Sequence, residues 1–302
     1  MTDVLTDLRA AAAEVAGRAR HVRVNAAAIP DYAAALAQPD PPAGDEAPRG
    51  DRELKAALWL TLDAINFGSG WFPTLNKRPG GSGYQTIAAG IEERFAARGP
   101  WTAQELQRVT ATDIADALSQ DPDHPLMHLF AQSLHDLGHH VDGAGSFTAI
   151  VDAARGSALS LVETLATWSC FADVSTYDEL RLPFLKRAQI AAADLARAGA
   201  AQFRDLDRLT MFADNLVPHV LRLDGILGFD PGLTDRIDRQ QLIEHGSREE
   251  IEIRACAVHA VELIVAARPD SSAAQTDQLL WLRGQQPVYK ARPRHRSRTT
   301  AY

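Results

Sequence analysis

Apolar side chains recur at the three- and four-residue spacing of an amphipathic helix along most of the chain. No long run of strict alternation interrupts this pattern. Together with abundant alanine, it predicts helices over residues 3–20, 53–66, 157–170, 183–199, 209–223 and 247–267. Pro125 opens a further helical stretch, and Pro218 must kink the 209–223 helix or begin a new one. We therefore expect a mainly α fold.

Signals for other elements are few. The stretches HVRVNAA at residues 21–27 and QPVYKA near the end are the two strand candidates, so any β-sheet is expected to be small. Thr102 with Glu105, and Ser247 with Glu250, have the spacing of a capping box. Residues 37–52 are rich in proline, glycine and charge, which predicts a loop. Residues 67–83 form a second long loop, with five glycines and several aromatic residues, and such loops often carry function.

Composition narrows the class of protein. The chain has 302 residues, and we expect one domain over residues 1–302. No apolar run is long enough to cross a membrane, and no signal peptide is recognisable, so a cytoplasmic protein is expected. Two distant cysteines, Cys170 and Cys256, exclude a disulfide framework and a zinc ribbon. The net charge of −8 argues against general nucleic-acid binding, although residues 288–302 carry five basic side chains and no acid.

The segment LHDLGHHVDG resembles the His-Asp motif of metal-dependent phosphohydrolases. His135 and His139 share a helix face at i, i+4, and Asp136 lies beside them. The further histidine and aspartate that such a site needs are not at suitable positions. The favoured interpretation is that the helix ends at Gly138 and that the histidine side chains interact with the helix dipole at this C-terminus.

Two segments bring carboxylates to unusual surroundings. Asp63 and Asn66 lie at i, i+3, and Phe67 and Trp71 follow, which suits a planar heterocycle with rings to stack on and polar groups to contact its edge. Core aromatics and a local cap explain the same pattern equally well. Asp214 lies among apolar residues, where a carboxylate is costly unless it is paired or used.

Basic and polar residues near these segments are candidates for contacts with the substrate. His219 and Arg222 follow Asp214 in the sequence. The ordinary explanation for the Asp214 carboxylate is a salt bridge to an arginine or simple exposure to solvent. Lys186 and Gln189 lie near the start of a helix, where cations and backbone amides favour an anion. A solvated helix face is the more ordinary interpretation. His295 and Arg296 lie in a tail, and chain ends are usually disordered.

Five blocks in order resemble one family. They are LDAINFGSGWFP, YDELRLPFLKRAQI, LTMFADNLVPHVLR, EEIEIRACAVHAVELI and PRHRSRTTAY, and the resemblance runs from about residue 20 to the end. The chain resembles the queuosine salvage proteins, which are queuosine 5′-phosphate N-glycosylase/hydrolases. This resemblance implies a two-lobed helical fold similar to that of helix-hairpin-helix DNA glycosylases. It also implies hydrolysis of queuosine 5′-monophosphate to queuine and ribose 5-phosphate, with no metal or other cofactor.

The matching blocks imply roles for individual residues. Asp214 is implied as the catalytic carboxylate. Residues expected to contact the substrate are Asp63, Asn66, Phe67, Trp71, Lys186, Gln189, His219, Arg222, His295 and Arg296. The assignment of Lys186, His295 and Arg296 to the 5′-phosphate rests on charge alone. A hairpin of the L-P-G-V-G type is missing, so a DNA contact is not expected.

Two other functions remain open at this point. One is a metal-dependent phosphohydrolase that uses His135, Asp136 and His139, which metal content and sensitivity to chelators would reveal. The other is a non-catalytic binder of a nucleobase or modified RNA, which would bind its ligand tightly and release no product.

Overall fold

The computed structural model describes residues 3–36 and 51–302, and within these it is mainly helical. The first nine helices are α1 Val4–Arg18, α2 Ile29–Ala35, α3 Arg52–Ala64, α4 Gly83–Arg98, α5 Ala103–Leu106, α6 Ala111–Leu118, α7 Pro125–Ala144, α8 Phe147–Ala153 and α9 Ala158–Leu165. The others are α10 Lys186–Arg197, α11 Val217–Leu223, α12 Pro231–Asp238, α13 Arg248–Ala267, α14 Ala273–Gly284 and α15 Pro287–Lys290. The predicted mainly α class is confirmed.

Four short strands form two small antiparallel sheets. Strand β1 (Val22–Val24) pairs with β4 (Leu227–Phe229), and β2 (Ser175–Tyr177) pairs with β3 (Leu180–Leu182). The strand predicted at residues 21–27 is therefore present. The Glu252 carboxylate of α13 holds β1 in place, because it accepts hydrogen bonds from three successive backbone N–H groups at residues 20–22.

The helices fall into two groups. One group surrounds α13, which contacts α1, α2, α11 and α14. The other group is built on α3 and α7, with α4, α5, α6 and α8 around them. Helix α10 contacts both α3 and α9. The further likeness to helix-hairpin-helix DNA glycosylases stays a prediction, and so does the single domain over residues 1–302.

Local chemistry accounts for several helix starts. Thr102 and Glu105 form the predicted capping box at α5. Ser247 caps α13 through the N–H of Glu250, but the Glu250 carboxylate accepts from Gly246 instead of completing the box. Asp51 caps α3, so the helix begins at Arg52, inside the segment that was predicted as a loop. The rest of that loop, residues 37–50, lies outside the described residues.

Three helix predictions need correction. Residues 209–216 are not α-helical, and α11 begins only at Val217, because Pro218 suits the first turn of a helix and not its interior. The predicted 183–199 helix begins at Lys186, after Leu185 adopts a left-handed conformation with φ of 49°. The predicted 157–170 helix ends at Leu165 and is followed by a short 3₁₀ turn.

Two further expectations are wrong. The QPVYKA stretch forms α15 and not a strand, with Pro287 in its first turn. Gly138 does not end α7, which continues to Ala144 and ends at Gly145, where φ is 90°. Gly138 instead allows α7 to pack closely on α5, since a Cβ there would lie 2.8 Å from the backbone nitrogen of Gln107.

The C-terminal segment, residues 291–302, has no regular secondary structure, yet alternate side chains within it are buried. The backbone carbonyl of Tyr302 accepts a hydrogen bond from Gly68 N–H at 3.0 Å. Gly70 lies directly against the same segment, because a Cβ there would lie 2.3 Å from the carbonyl oxygen of Ser297. The expectation of a disordered tail is therefore wrong: the segment packs against the 67–83 loop.

A fully buried guanidinium connects several of these parts. Arg254 of α13 forms an ion pair with Asp173 at 2.6 Å and donates from Nε to the carbonyl of Ala213 at 2.9 Å. Its guanidinium carbon lies 4.0 Å from the centre of the Phe184 ring and 4.4 Å from that of Tyr302. One side chain thus joins α13, the chain before α10, the chain before α11 and the C-terminal segment.

Within the described residues, none of the helices combines the length and the apolar character that crossing a bilayer requires.

We predict that Arg254→Met lowers the free energy of unfolding by about 3–5 kcal/mol, because it leaves the Asp173 carboxylate buried without its partner. Urea denaturation followed by circular dichroism measures this loss. Arg239→Met is the control, because Arg239 is exposed and pairs only with Asp235 on its own helix; its effect should stay within about 0.5 kcal/mol. A loss as small as that of the control would contradict the role assigned to Arg254.

Candidate active site

A cavity of about 2010 Å³ is bounded by α3, α4, α10, α11, α14, the 67–83 loop and the C-terminal segment. Its volume exceeds what a small-molecule ligand needs. Polar and ionisable side chains from distant parts of the sequence converge on its wall. They include Asn66, Lys186, Asp214, Asn215, His219, Asp277, Arg294 and Arg296.

Asp214 reaches the cavity because the chain stays non-helical until Pro218 allows α11 to begin. Its Oδ1 accepts hydrogen bonds from the N–H groups of Leu216 at 2.7 Å and Val217 at 3.2 Å. These two bonds fix the carboxylate plane. Asp214 is partly exposed to the cavity, so its other oxygen is available to a ligand.

Lys186 lies on the same wall as the first residue of α10. Its backbone N–H donates to Asp173 Oδ2 at 3.0 Å, and its Nζ donates to the carbonyl of Asn66 at 3.1 Å. Burial lowers the pKa of the Lys186 ammonium, while the charges of Asp214 and Asp63 oppose that shift. The buried Lys186 side chain thus lies near the Asp214 carboxylate.

Asp277 is a second carboxylate on the wall that sequence reasoning missed. Its Oδ1 accepts a hydrogen bond from Phe212 N–H at 2.9 Å. Burial raises the pKa of Asp277 well above its usual value, and the nearby Asp214 charge raises it further. A signal was present, because Asp277 shares the buried face of α14 with Ala273, Thr276 and Leu280.

Not all of the predicted aromatic residues line the cavity, and others line it that were not predicted. Phe67 lines the cavity but is only 2% exposed, with its ring edge-to-face on Phe130 at 5.0 Å. Trp71 does not line the cavity. Phe212, two residues before Asp214, and Tyr302 of the C-terminal segment do line the cavity. Phe212 and Tyr302 were not among the predicted residues, and neither were Trp59, Phe72 and Tyr84, which also line the cavity.

Two predicted contact residues lie behind the cavity wall. Asp63 is fully buried, and its Oδ1 accepts from the Asn66 side-chain amide at 3.2 Å. Gln189 is also fully buried; its amide donates to the Phe184 carbonyl, and its oxygen accepts from Thr210 N–H, both at 2.9 Å. These bonds position the wall-forming segments around Asn66 and Thr210.

His219 and Arg222 of α11 hold the other side of the cavity. His219 Nε2 lies 3.0 Å from the carbonyl of Tyr289, and burial lowers the pKa of this imidazole to about 4. The ring is therefore neutral near pH 7 and donates this hydrogen bond. Arg222 donates to the carbonyl of Pro293 at 3.0 Å. Only His219 of the two lines the cavity.

The predicted pair from the C-terminal segment separates in the structure. His295 is 2% exposed and lies behind the wall, where burial lowers its pKa to about 3. Arg296 lines the cavity but donates to the carbonyl of Gln240 at 2.6 Å. Arg294, which was not among the predicted residues, also lines the cavity.

The His-Asp segment has structural partners. His135 Nε2 lies 2.6 Å from the carbonyl of Val109, and Asp136 accepts from Cys170 N–H at 2.8 Å. His140 stacks on Trp168, with ring centres 4.0 Å apart. Over residues 3–36 and 51–302, no three or more histidine, cysteine or acidic side chains group so that they could hold a metal ion. The segment therefore stabilises α7 and its neighbours.

Comparison with known proteins identifies the family of the chain. The family model described as queuosine salvage protein matches residues 47–302. The chain belongs to the queuosine salvage protein family. The resemblance noted from the five sequence blocks is thereby confirmed.

Several relatives carry the name queuosine 5′-phosphate N-glycosylase/hydrolase. The protein from Sphaerobacter thermophilus is 36% identical over 266 residues, which cover 83% of this chain and 82% of that protein. The Bos taurus protein is 31% identical over 72% of this chain and 68% of its own length. The Dictyostelium discoideum protein is 30% identical over 83% and 79% respectively. The family match over residues 47–302 spans all the positions that line the cavity.

The buried histidines of this family member predict a dependence of stability on pH. The pKa values of about 4 for His219 and about 3 for His295 lie below the usual 6.5. As the pH falls below about 6.5, the unfolded chain binds protons at these rings and the folded chain does not. The free energy of unfolding should therefore fall between about pH 7 and about pH 4.

Urea denaturation across this pH range tests the prediction. His219→Asn should reduce the slope of stability against pH, because it removes one of the two rings. The exposed His128 provides the matched control, and His128→Asn should leave the slope as it is. An unchanged slope in His219→Asn would show that this ring does not titrate as described.

Proposed function

We propose that the protein hydrolyses the N-glycosidic bond of queuosine 5′-monophosphate and releases queuine and ribose 5-phosphate. The observation that carries the proposal is the Asp214 carboxylate, fixed by two backbone N–H groups on a cavity wall that also holds Lys186 and Asp277. Membership of the queuosine salvage family and the names of the relatives support it.

Asp214 provides what this reaction needs at the sugar. Cleavage of the C1′–N9 bond passes through an oxocarbenium-like transition state that carries positive charge on the ribose. A fixed carboxylate close to C1′ stabilises that charge and orients the attacking water. The water oxygen bonds to C1′, one of its protons remains on the new hydroxyl, and the other passes to Asp214.

Lys186 adds a second ionisable group near the reacting centre. Burial lowers the pKa of the Lys186 ammonium, and the nearby charge of Asp214 opposes that shift. No direct ion pair joins the two side chains within the described residues, so the carboxylate is not neutralised by contact. Lys186 is held instead by the carbonyl of Asn66.

Asp277 suits the other half of the reaction, the departure of the base. A 7-deazaguanine has no N7, so a proton cannot be delivered there. The negative charge that develops on the leaving base must therefore be stabilised at the pyrimidine ring. A carboxyl group with a raised pKa retains its proton and can donate it to an acceptor on that ring. The base leaves with the electron pair of the C1′–N9 bond and takes up this proton. The two carboxylates thus have different roles in the proposed reaction.

The acidic protein as a whole suits a small nucleotide better than a nucleic acid. The net charge is −8, and we propose a small-molecule substrate and no direct nucleic-acid partner. We propose a cytoplasmic location, because Cys170 and Cys256 are both free thiols, as expected in a reducing compartment. Neither metal nor another cofactor enters the proposed reaction.

Incubation of the protein with queuosine 5′-monophosphate, followed by mass spectrometry, tests the activity. Release of both queuine and ribose 5-phosphate is the expected result. Release of phosphate without queuine, and only when metal is added, would support a phosphohydrolase. Retained binding of the nucleotide without any product would identify a binding protein.

Substitution of the two carboxylates tests their roles. Asp214→Asn should lower kcat by about 10³-fold or more and leave the Kd of the nucleotide nearly unchanged, because the amide keeps the shape and loses the charge. Asp277→Asn should lower kcat by about 10²-fold, because a positioned proton donor is lost. Single-turnover kinetics and equilibrium binding measure both effects. Near wild-type turnover in Asp214→Asn would remove this residue from the chemistry.

A further inference from the structure

The Asn215 side chain lies where three segments of the cavity wall meet. Its amide nitrogen donates to the Ser69 hydroxyl oxygen at 3.0 Å and to the carbonyl of His295 at 3.2 Å. Asn215 therefore joins the chain next to Asp214 to the 67–83 loop and to the C-terminal segment. Asn215 and Ser69 both line the cavity, and the proposed chemistry has so far assigned no role to either.

These two hydrogen bonds fix the orientation of the Asn215 amide. A carbonyl oxygen only accepts, so the amide group that faces His295 is the NH₂ and not the oxygen. Both N–H groups are thereby used. The side-chain oxygen Oδ1 accepts no hydrogen bond from any residue within 3–36 and 51–302. Asn215 is only 4% exposed, but Oδ1 is not enclosed by protein atoms, so it faces the cavity as a free acceptor.

Ser69 provides the complementary free group. Its hydroxyl oxygen accepts from Asn215, whereas its own O–H proton has no acceptor in the part of the chain that the structure describes. The backbone just before Ser69 is fixed, because Gly68 N–H donates to the carbonyl of Tyr302 at 3.0 Å and the Gly68 carbonyl accepts from Trp71 N–H at 2.9 Å. The wall thus holds one free donor beside one free acceptor, in a preorganised arrangement.

A ligand hydroxyl matches this pair of groups. One hydroxyl both donates and accepts, so it can donate to Asn215 Oδ1 and accept from the Ser69 O–H. A phosphate or carboxylate oxygen only accepts and leaves the amide oxygen without a donor, and an ammonium only donates. The lactam edge of the base also offers a donor next to an acceptor. That edge, however, lies on the far side of the base from C1′, whereas Asn215 directly follows Asp214.

We propose that Asn215 and Ser69 bind the 2′-hydroxyl of the sugar and make the enzyme select ribonucleotides over 2′-deoxyribonucleotides. The inference rests on the proposed function, in which Asp214 faces C1′. Because C2′ is bonded to C1′, its hydroxyl is the sugar hydroxyl closest to the residue beside Asp214. Hydrogen bonds to a 2-hydroxyl strengthen in the oxocarbenium-like transition state of glycoside hydrolysis, so the pair contributes to turnover as well as to binding. A site built around a substrate hydroxyl rejects the analogue that lacks it.

The test uses queuosine 5′-monophosphate and its 2′-deoxy analogue as substrates. Ser69→Ala should lower kcat/KM for the ribonucleotide by about 10-fold, the cost of one hydrogen bond, and leave the value for the deoxy analogue within about twofold. Asn215→Ala should lower the ribonucleotide value by about 10- to 100-fold and the deoxy value less. Comparing each variant with the wild type on the same substrate cancels the different intrinsic reactivity of the two sugars. Asn76→Ala is the control, because Asn76 is exposed in the same loop and does not line the cavity; it should match the wild type on both substrates.

Equal losses on both substrates would overturn the assignment and indicate that the pair holds the attacking water or the edge of the base. A binding measurement that needs no turnover separates the inference from the proposed function. In isothermal titration the wild type should bind ribose 5-phosphate about 10-fold more tightly than 2-deoxyribose 5-phosphate, and Ser69→Ala should remove that difference. If the wild type shows this difference but releases no queuine, the proposed activity fails and the hydroxyl site stands. Equal affinity of the wild type for the two sugars, or binding of neither, would contradict the inference.

Discussion

The buried guanidinium of Arg254 is the constraint on which the candidate site depends. It pairs with Asp173, and the same carboxylate oxygen accepts the N–H of Lys186, so one interaction fixes the start of α10. It also binds the carbonyl of Ala213, the residue before Asp214. Stacking of Phe184 and Tyr302 on its two sides adds the C-terminal segment. A single side chain on α13 therefore sets the relative positions of both charged groups in the proposed chemistry.

The placement of the two charges follows from backbone more than from side-chain pairing. Asp214 is oriented by two N–H groups, and Lys186 by the carbonyl of Asn66, just before the 67–83 loop. Lys186 and Asp214 form no direct ion pair with each other. Their charges therefore remain available to a substrate, while burial and mutual proximity adjust the pKa of Lys186 and of Asp277. Such preorganisation is costly for folding and useful for catalysis.

Periodicity was sufficient to predict the helical class and most helices, because the apolar spacing is local information. It failed at residues 209–216, where a hydrophobic segment is held in a non-helical conformation by contacts with Asp277 and Arg254. The same limit applies to the site. Asp214 and Lys186 could be identified from their sequence blocks. The sequence pattern of a buried helix face, however, is the same whether that face packs against the core or lines a cavity. Asp63 and Gln189 were therefore expected to contact the substrate although they lie behind the wall, whereas Asp277, which lines it, was missed.

The interlocking of the 67–83 loop with residues 291–302 also concerns how the protein folds. The bond between Gly68 and Tyr302 and the contact between Gly70 and Ser297 join segments from nearly opposite ends of the sequence. Closing so long a loop is entropically expensive, and contacts of this range form late when local helices form early. Helix α13 depends on contacts of the same range, since Arg9 of α1 pairs with Glu262 at 3.0 Å. The core around α13 and the cavity wall are therefore both completed only when distant parts of the sequence meet.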